Sequence, residues 1–251
     1  MIGPVIEPVT LVAPAKLTLS LRVTGVRDDG FHLIDAEMVT LDLADTLHLS
    51  DGDGLELVDG TTGEGLDVGD GDDNLVRRAL ALIGRRAHVR LEKRIPAGAG
   101  LGGGSADAAA VLRWAGHTDL ETAARLGADV AFCLVGGRAR VEGIGEVVEP
   151  LPFEPRTLTL WTPPFGCSTP AVYRAWDELG GPRGDHGNDL EPAALAVEPR
   201  LAEWRDRLAA LAGARPRLAG SGSTWFVEGA FPGEGRVVVH TTPAEGPTGA
   251  S

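Results

Sequence analysis

The stretch KRIPAGAGLGGGSADAAA, residues 93–110, decides how this chain is read. Five of the seven residues from Gly98 to Gly104 are glycine, and Ser105-Ala-Asp107 leads into a run of alanines. Glycine lacks a Cβ, so its backbone reaches positive φ and approaches a ligand closely. A loop of free N–H groups that opens a helix is an anion site, because the unpaired amides and the helix dipole both favour negative charge. Phosphate is the expected anion, and Ser105 is the expected cap of the helix.

Other glycine loops fit less well. Gly98, Gly100 and Gly103 satisfy G-x-G-x-x-G. A dinucleotide fingerprint also needs an acidic residue at the end of the next strand, whereas the residues after this loop read as helix. A Walker A loop ends Gly-Lys-[Ser/Thr], and this one ends Gly104-Ser105 without the lysine. A protein-kinase loop would be a hairpin, and the motifs that accompany it are missing. A purely structural loop would carry five glycines at an entropic cost for no return.

The rest of the composition narrows the partners. At 251 residues and 43% hydrophobic, the chain holds one large domain or two modest ones. A net charge of −13 argues against a broad nucleic-acid or anionic-membrane surface, while leaving room for a local basic pocket. No apolar run is long enough to span a bilayer. The start, MIGPVIEPVT, lacks the basic region of a secretory signal, so a cytoplasmic location is expected. Cys133 and Cys167 stand outside any Cys/His cluster and read as two reduced thiols. Of 23 basic residues only Lys16 and Lys93 are lysines, and both sit beside motifs. Arg cannot replace Lys where a compact ammonium is needed.

Periodicity predicts mixed strands and helices without regular βαβ alternation, an α+β class. Residues 5–12 read as an edge strand broken by Pro8. Lys16–Val23 alternates Leu17, Leu19, Leu21 and Val23 with polar residues, predicting a strand with one face free. Strands are expected at 37–43, 46–49, 55–58, 88–93, 138–142, 146–151, 158–161, 217–219, 224–227 and 236–240. Helices are expected from Leu75, capped by Asp73 or Asn74, after the glycine loop, at 120–126, from Pro170 to Leu179, and at 200–211. The Gly/Asp stretch 51–73 reads as solvated turns; an EF-hand frame started at Asp70 puts Leu75 where the invariant glycine belongs. Prolines 150, 152 and 155 mark a boundary between domains 1–153 and 154–251, and the tail from Thr242 is expected to be disordered.

PAGAGLGGGSADAAA resembles the phosphate loop of the GHMP small-molecule kinases, named for galactose, homoserine, mevalonate and phosphomevalonate. Within them, the chain is similar to the kinases of 4-diphosphocytidyl-2-C-methyl-D-erythritol along nearly its whole length. The resemblance rests on Ala13-Pro-Ala-Lys16, Asp29-Gly-Phe-His32, Leu43-Ala-Asp45, Asp73-Asn-Leu, Gly127-Ala-Asp129-Val and Gly143-Ile-Gly-Glu146. It continues through Ser168-Thr-Pro-Ala-Val-Tyr173, Asn188-Asp-Leu and Gly220-Ser-Gly-Ser. It implies a two-domain fold with the active site in the cleft between domains, ATP with Mg²⁺, and a small-molecule cytidyl diphosphate acceptor. It implies no nucleic-acid or membrane partner, and a monomer or homodimer.

The residue roles follow from the same likeness. Asp129, before an apolar run, either caps the next helix or takes a proton; the resemblance makes it the catalytic base. Lys16, otherwise a solvated strand-end lysine, would sit beside Asp129 and stabilise developing charge. Lys93 either contacts nucleotide phosphate or is an exposed strand residue. Pro96, Gly98, Gly100, Leu101, Gly102, Gly103, Gly104 and Ser105 would hold ATP, with Ser105 also a candidate metal ligand. Thr18, Phe31, His32, Thr169, Tyr173, Gly220 and Ser221 would bind the acceptor: His32 at the edge of the base, Phe31 and Tyr173 on its faces. Thr18 stands where the family usually has Asn, Phe31 where it has Tyr, and Ala106 where Ser is common. Residues 54–72 and 115–125 look shortened. The rival readings are another GHMP kinase, the related ATP-dependent decarboxylase, or a non-catalytic nucleotide- or sugar-binding relative.

Overall fold

The computed structural model describes residues 7–66 and 71–244. The strands are β1 (Val9–Val26), β2 (His32–Ser50), β3 (Gly54–Asp59), β4 (His88–Lys93), β5 (Arg138–Gly143), β6 (Val147–Pro150), β7 (Thr157–Trp161), β8 (Arg217–Leu218), β9 (Trp225–Glu228) and β10 (Arg236–Thr242). The helices are α1 (Leu75–Leu82), α2 (Gly103–Trp114), α3 (Leu120–Leu126), α4 (Val130–Val135), α5 (Thr169–Glu178), α6 (Glu191–Val197) and α7 (Leu201–Ala212). The class is α+β, as expected.

β2 is the spine of the sheet. Along one side it pairs antiparallel with the whole of β1. Along the other it pairs in turn with β4, β10 and β5. β10 then continues through β7 and β9 to β8, so one path of hydrogen bonds joins the first and last thirds of the chain. None of the helices among the described residues is long and apolar enough to cross a membrane.

The long strands absorb what the sequence suggested were breaks. β1 begins at Val9, just past Pro8, and runs straight through Pro14. An edge strand tolerates a proline because one row of its amides has no ladder partner. Register shifts at Pro14/Lys16, Thr18/Ser20 and Val23/Gly25 take up the irregularity as bulges. The two strands expected at 37–43 and 46–49 are one. At the other end Thr242 closes β10, so the disorder expected from Thr242 does not apply to 242–244; residues 245–251 lie outside the described part.

The polar side of β1 is covered, contrary to the free face expected. Leu17, Leu19 and Leu21 are buried, but so are Lys16 and Thr18, which alternate with them, at 4% and 2% exposure. The lid is the glycine loop. Ala99 and Leu101, its two non-glycine residues, plunge into an apolar cluster with Leu17, Leu19, Leu158, Leu160 and Phe226. That cluster ties the loop to both groups of strands. The glycines between are left with backbone facing outward. On the next segment, Ala108, Ala109 and Ala110 of α2 are fully buried, and their small side chains let the helix lie close on β1.

Asn74 caps α1, its side chain accepting from the Val76 amide. Ser105 does not cap α2: the cap is Gly102, and Ser105 falls inside the first turn. A glycine at φ 68° reaches the left-handed region that a serine avoids, so the helix starts earlier than a serine cap would place it. The short helix α6, missed by periodicity, follows Asn188, whose Oδ1 accepts from the Leu190 amide.

Candidate active site

Lys16 leaves the middle of β1 beneath the glycine loop, its own amide bonded to the Leu101 carbonyl at 3.0 Å. Its Nζ lies 3.0 Å from Asp129 Oδ2 and 3.2 Å from Thr18 Oγ1. Asp129 occupies the N-cap position of α4, yet its side chain makes no capping bond. Its carboxylate is turned to Lys16 and is 30% exposed, open to an incoming group. Lys16 thus stands beside Asp129, as the resemblance implied, and not solvated at a strand end, while the Asp129 side chain does not cap α4.

Above this pair the loop exposes Gly98, Gly100 and Gly102 at φ 67°, 78° and 68°. Gly100 is pressed so closely on the 219–222 turn that an added Cβ would meet the Ala219 carbonyl oxygen at 2.4 Å. Pro96, Gly98 and Gly100–Ser105 border a cleft of about 880 Å³. Leu101 spends its side chain in the core, at 1% exposure, and has only backbone to offer.

Lys93 is neither exposed nor alone. Its Nζ bridges Asp45 Oδ2 at 2.5 Å and Asp107 Oδ2 at 2.7 Å. Burial works against its charge, but Asp107 and Asp45 outweigh it and hold the ammonium above its usual range. Asp45, fully buried, also accepts from the amides of Arg94 and Ile95, which fixes the exit of β4 into the loop. Asp107 is pushed up to about 7, chiefly by burial, with Lys93 opposing and Asp45 adding. Its Oδ1 has no partner among the described residues. Asp45 and Asp107 both lay in quoted motifs, but nothing local in the sequence pairs them with Lys93.

The other wall comes from the C-terminal half. Gly220 approaches Lys16 Nζ and Thr18 Oγ1, each 3.7 Å from where its Cβ would be. Ser221 Oγ and Thr169 Oγ1 are 2.8 Å apart. Buried Asn188 shapes this turn by donating to the carbonyls of Leu218 and Gly220. Its neighbour Asp189, also buried, accepts from the amides of Val23 and Gly184 and from Arg22. Neither had an assigned role in the sequence reading; two consecutive polar residues before an apolar helix were the only signal.

Tyr173 on α5 stacks on His32 with ring centroids 4.6 Å apart. Burial raises the Tyr173 phenol above its usual range, and the charge of Asp129 adds to it. The cleft thus gathers all the residues expected in it except Phe31. Phe31 is 57% exposed, with Arg27 over its ring at 5.9 Å. Cys133 and Cys167 are separate buried thiols.

The family described as "GHMP kinases N terminal domain" matches residues 74–137, the segment holding the loop, Lys93, Asp107 and Asp129. A 4-diphosphocytidyl-2-C-methyl-D-erythritol kinase of Paracoccus denitrificans is 42% identical over 85% of this chain and 84% of its own length. The chain belongs to the 4-diphosphocytidyl-2-C-methyl-D-erythritol kinases. A relative of the same name from Paramagnetospirillum magneticum is 39% identical over 86% of this chain and 87% of its own. A crystal structure of a 4-(cytidine 5'-diphospho)-2C-methyl-D-erythritol kinase superposes with a TM-score of 0.73 at 31% identity, covering 95% of this chain and all of that one. Homoserine kinase from Cytophaga hutchinsonii shares the fold, with a TM-score of 0.60 at 16% identity over 97% of each chain. The fold is that of the GHMP kinases, and the chain is a small-molecule kinase of an ATP-using family.

Proposed function

We propose that the chain transfers the γ-phosphate of ATP to the 2-hydroxyl of 4-diphosphocytidyl-2-C-methyl-D-erythritol, on the non-mevalonate route to isoprenoid precursors. The observation that carries this reading is the Lys16–Asp129 pair, 3.0 Å apart at the floor of the cleft and under the glycine loop.

Phosphoryl transfer demands little covalent work from a protein; it demands positioning and charge stabilisation. Asp129 accepts the proton of the acceptor hydroxyl as general base. Lys16 stabilises the charge that builds on the attacking oxygen and the moving phosphoryl group. The amides of residues 98–105 at the start of α2 hold the phosphates. Lys93 acts on ATP through the loop: its bonds to Asp45 and Asp107 set where β4 ends and α2 begins. Thr18, Gly220, Ser221 and Thr169 face the acceptor's polyol, and His32, Tyr173 and Phe31 take its cytosine.

Mg²⁺ fits this donor set. It binds through one or two carboxylates together with water and phosphate oxygens. Asp129, Ser105 and the unpartnered Asp107 Oδ1 are the oxygens available beside the loop. There the ion would supply charge neutralisation for the phosphates. We read residues 1–153 and 154–251 as two domains closing on the cleft; the segment 151–156, without regular structure, supports that division. The setting is a cytoplasmic enzyme, monomer or homodimer, acting on small molecules.

A coupled ADP-release assay with the cytidyl substrate, mevalonate and homoserine offered separately tests this. ADP release with the cytidyl substrate alone is expected. Turnover of mevalonate or homoserine instead would overturn the assignment.

A further inference from the structure

We propose that Asp177 fixes the tautomer of His32 and thereby makes the site select cytosine over uracil. The proposal rests on the reading that His32 meets the base of the acceptor.

His32 is held from three directions by one helix. On α5, Tyr173 stacks on the imidazole at 4.6 Å and 36°, and Trp176 meets it edge-on at 5.6 Å and 84°. One residue further, Asp177 Oδ1 lies 2.8 Å from His32 Nε2. Residues 173 and 177 are four apart, which puts both on one face of the helix. The His32 side chain is only 11% exposed, and its ring borders the cleft.

A carboxylate accepts hydrogen bonds and does not donate them, so the proton of a neutral His32 belongs on Nε2. Nδ1 is then a bare acceptor, and it has no partner among the described residues. Turning the ring over would put Cε1 where Nε2 stands and Cδ2 where Nδ1 stands, which breaks the bond to Asp177. The ring therefore offers the ligand one chemical face.

That face distinguishes two pyrimidines of nearly equal shape. Cytosine carries an exocyclic amino group, a donor, where uracil carries a carbonyl oxygen, an acceptor. Nδ1 accepts from the amino group, whereas its lone pair opposes the carbonyl. A site built to pair one hydrogen-bonding group rejects the analogue that leaves both partners unpaired. Without Asp177, the imidazole can place its proton on Nδ1 and accommodate either base.

The test compares kcat/KM for the cytidyl substrate and its uridyl counterpart in wild type, Asp177→Leu, Asp177→Ala and His32→Ala. A wild-type preference for the cytidyl substrate of about 100-fold is expected, falling below about 10-fold in both Asp177 variants. The cytidyl KM should rise about tenfold in those variants, with the KM for ATP and the melting temperature nearly unchanged. ¹⁵N spectra of histidine-labelled protein, with His32 assigned by its loss in His32→Ala, should report the Nε2-protonated form in wild type. Asp177→Leu keeps about the same shape without an acceptor and settles the matter if Asp177→Ala folds poorly. A raised cytidyl KM in His32→Ala with an unchanged preference in Asp177→Leu, or an Nδ1-protonated His32 in wild type, would overturn the proposal alone. An unchanged cytidyl KM in His32→Ala would overturn the placement of the base as well.

Discussion

Lys16 Nζ and Asp129 Oδ2 stand 3.0 Å apart, brought together from the middle of β1 and the start of α4. Lys16 is 4% exposed and Asp129 remains partly open, so the cation is enclosed while the carboxylate can still be reached. The stem of Lys16 runs so tightly under the loop that a Cβ on Gly102 would come within 2.7 Å of its Cγ.

Removing this ammonium should therefore affect chemistry more than binding. Lys16→Met is expected to lower kcat by about 10²–10³, the usual loss for one preorganised electrostatic group, with KM for ATP raised less than about fivefold. Lys16→Arg should not rescue it, since the space below Gly102 does not admit a planar guanidinium. Steady-state kinetics on the three proteins decide; recovery of kcat in the arginine variant would contradict the tight fit.

The contact between the glycine loop and the 219–222 turn makes Gly100 the most sensitive loop position. Alanine there would both strain a left-handed residue at φ 78° and drive its Cβ to 2.4 Å from the Ala219 carbonyl. Gly100→Ala should lower the melting temperature by about 4–10 °C, as a substitution costing roughly 2–3 kcal/mol does in a domain of this size. Its KM for ATP should rise in parallel. A normal melting temperature would mean that the loop and the turn are not in contact.

Asp107 gives a pH signature. Its folded value of about 7 lies above the ordinary 3.8, so between those values the folded protein keeps a proton that the unfolded chain has lost. Stability from this group then declines as pH rises from about 4 to 7 and stays low above it. Asp107→Asn removes the titration, so the variant should gain on wild type in melting temperature as pH is raised from 5 to 8. Parallel curves across that range would rule the buried proton out.

Phe31 is the acceptor residue that the structure leaves outermost, at 57% exposure. If it closes over the cytosine, Phe31→Ala should raise the acceptor KM by about 5–100-fold, the range set by one lost base–aromatic stack, while KM for ATP stays level. An unchanged acceptor KM would remove Phe31 from the site and leave the base to Tyr173 and His32.

The contrast between local and distant chemistry explains what was legible in the chain. The glycine loop, the Asn74 cap and most strand alternations are written in neighbouring residues, and each lies where periodicity put it. The anchoring of the loop was half legible: the glycines declared a ligand, but the burial of Ala99 and Leu101 depends on Leu158 and Phe226, far along the chain. Lys93 looked like a phosphate ligand or a surface lysine because its partners, Asp45 and Asp107, come from β2 and α2. The strands read at 5–12 and 16–23 are one because Pro14 is carried at a bulge of β1, a long-range pairing with β2 that neighbouring residues do not encode. Ser105 looked like a cap because serine caps helices well, and a left-handed glycine displaced it. The resemblance named Lys16 and Asp129; only the fold supplies their distance.

Single-turnover transfer from γ-labelled ATP to the cytidyl substrate, measured for wild type and Asp129→Asn with binding of both ligands checked by calorimetry, tests the central claim. Asn keeps the shape of Asp129 but cannot take a proton, so transfer should slow by about 10²–10⁴ while both affinities stay within about threefold. Transfer at the wild-type rate in Asp129→Asn would show that Asp129 is not the base.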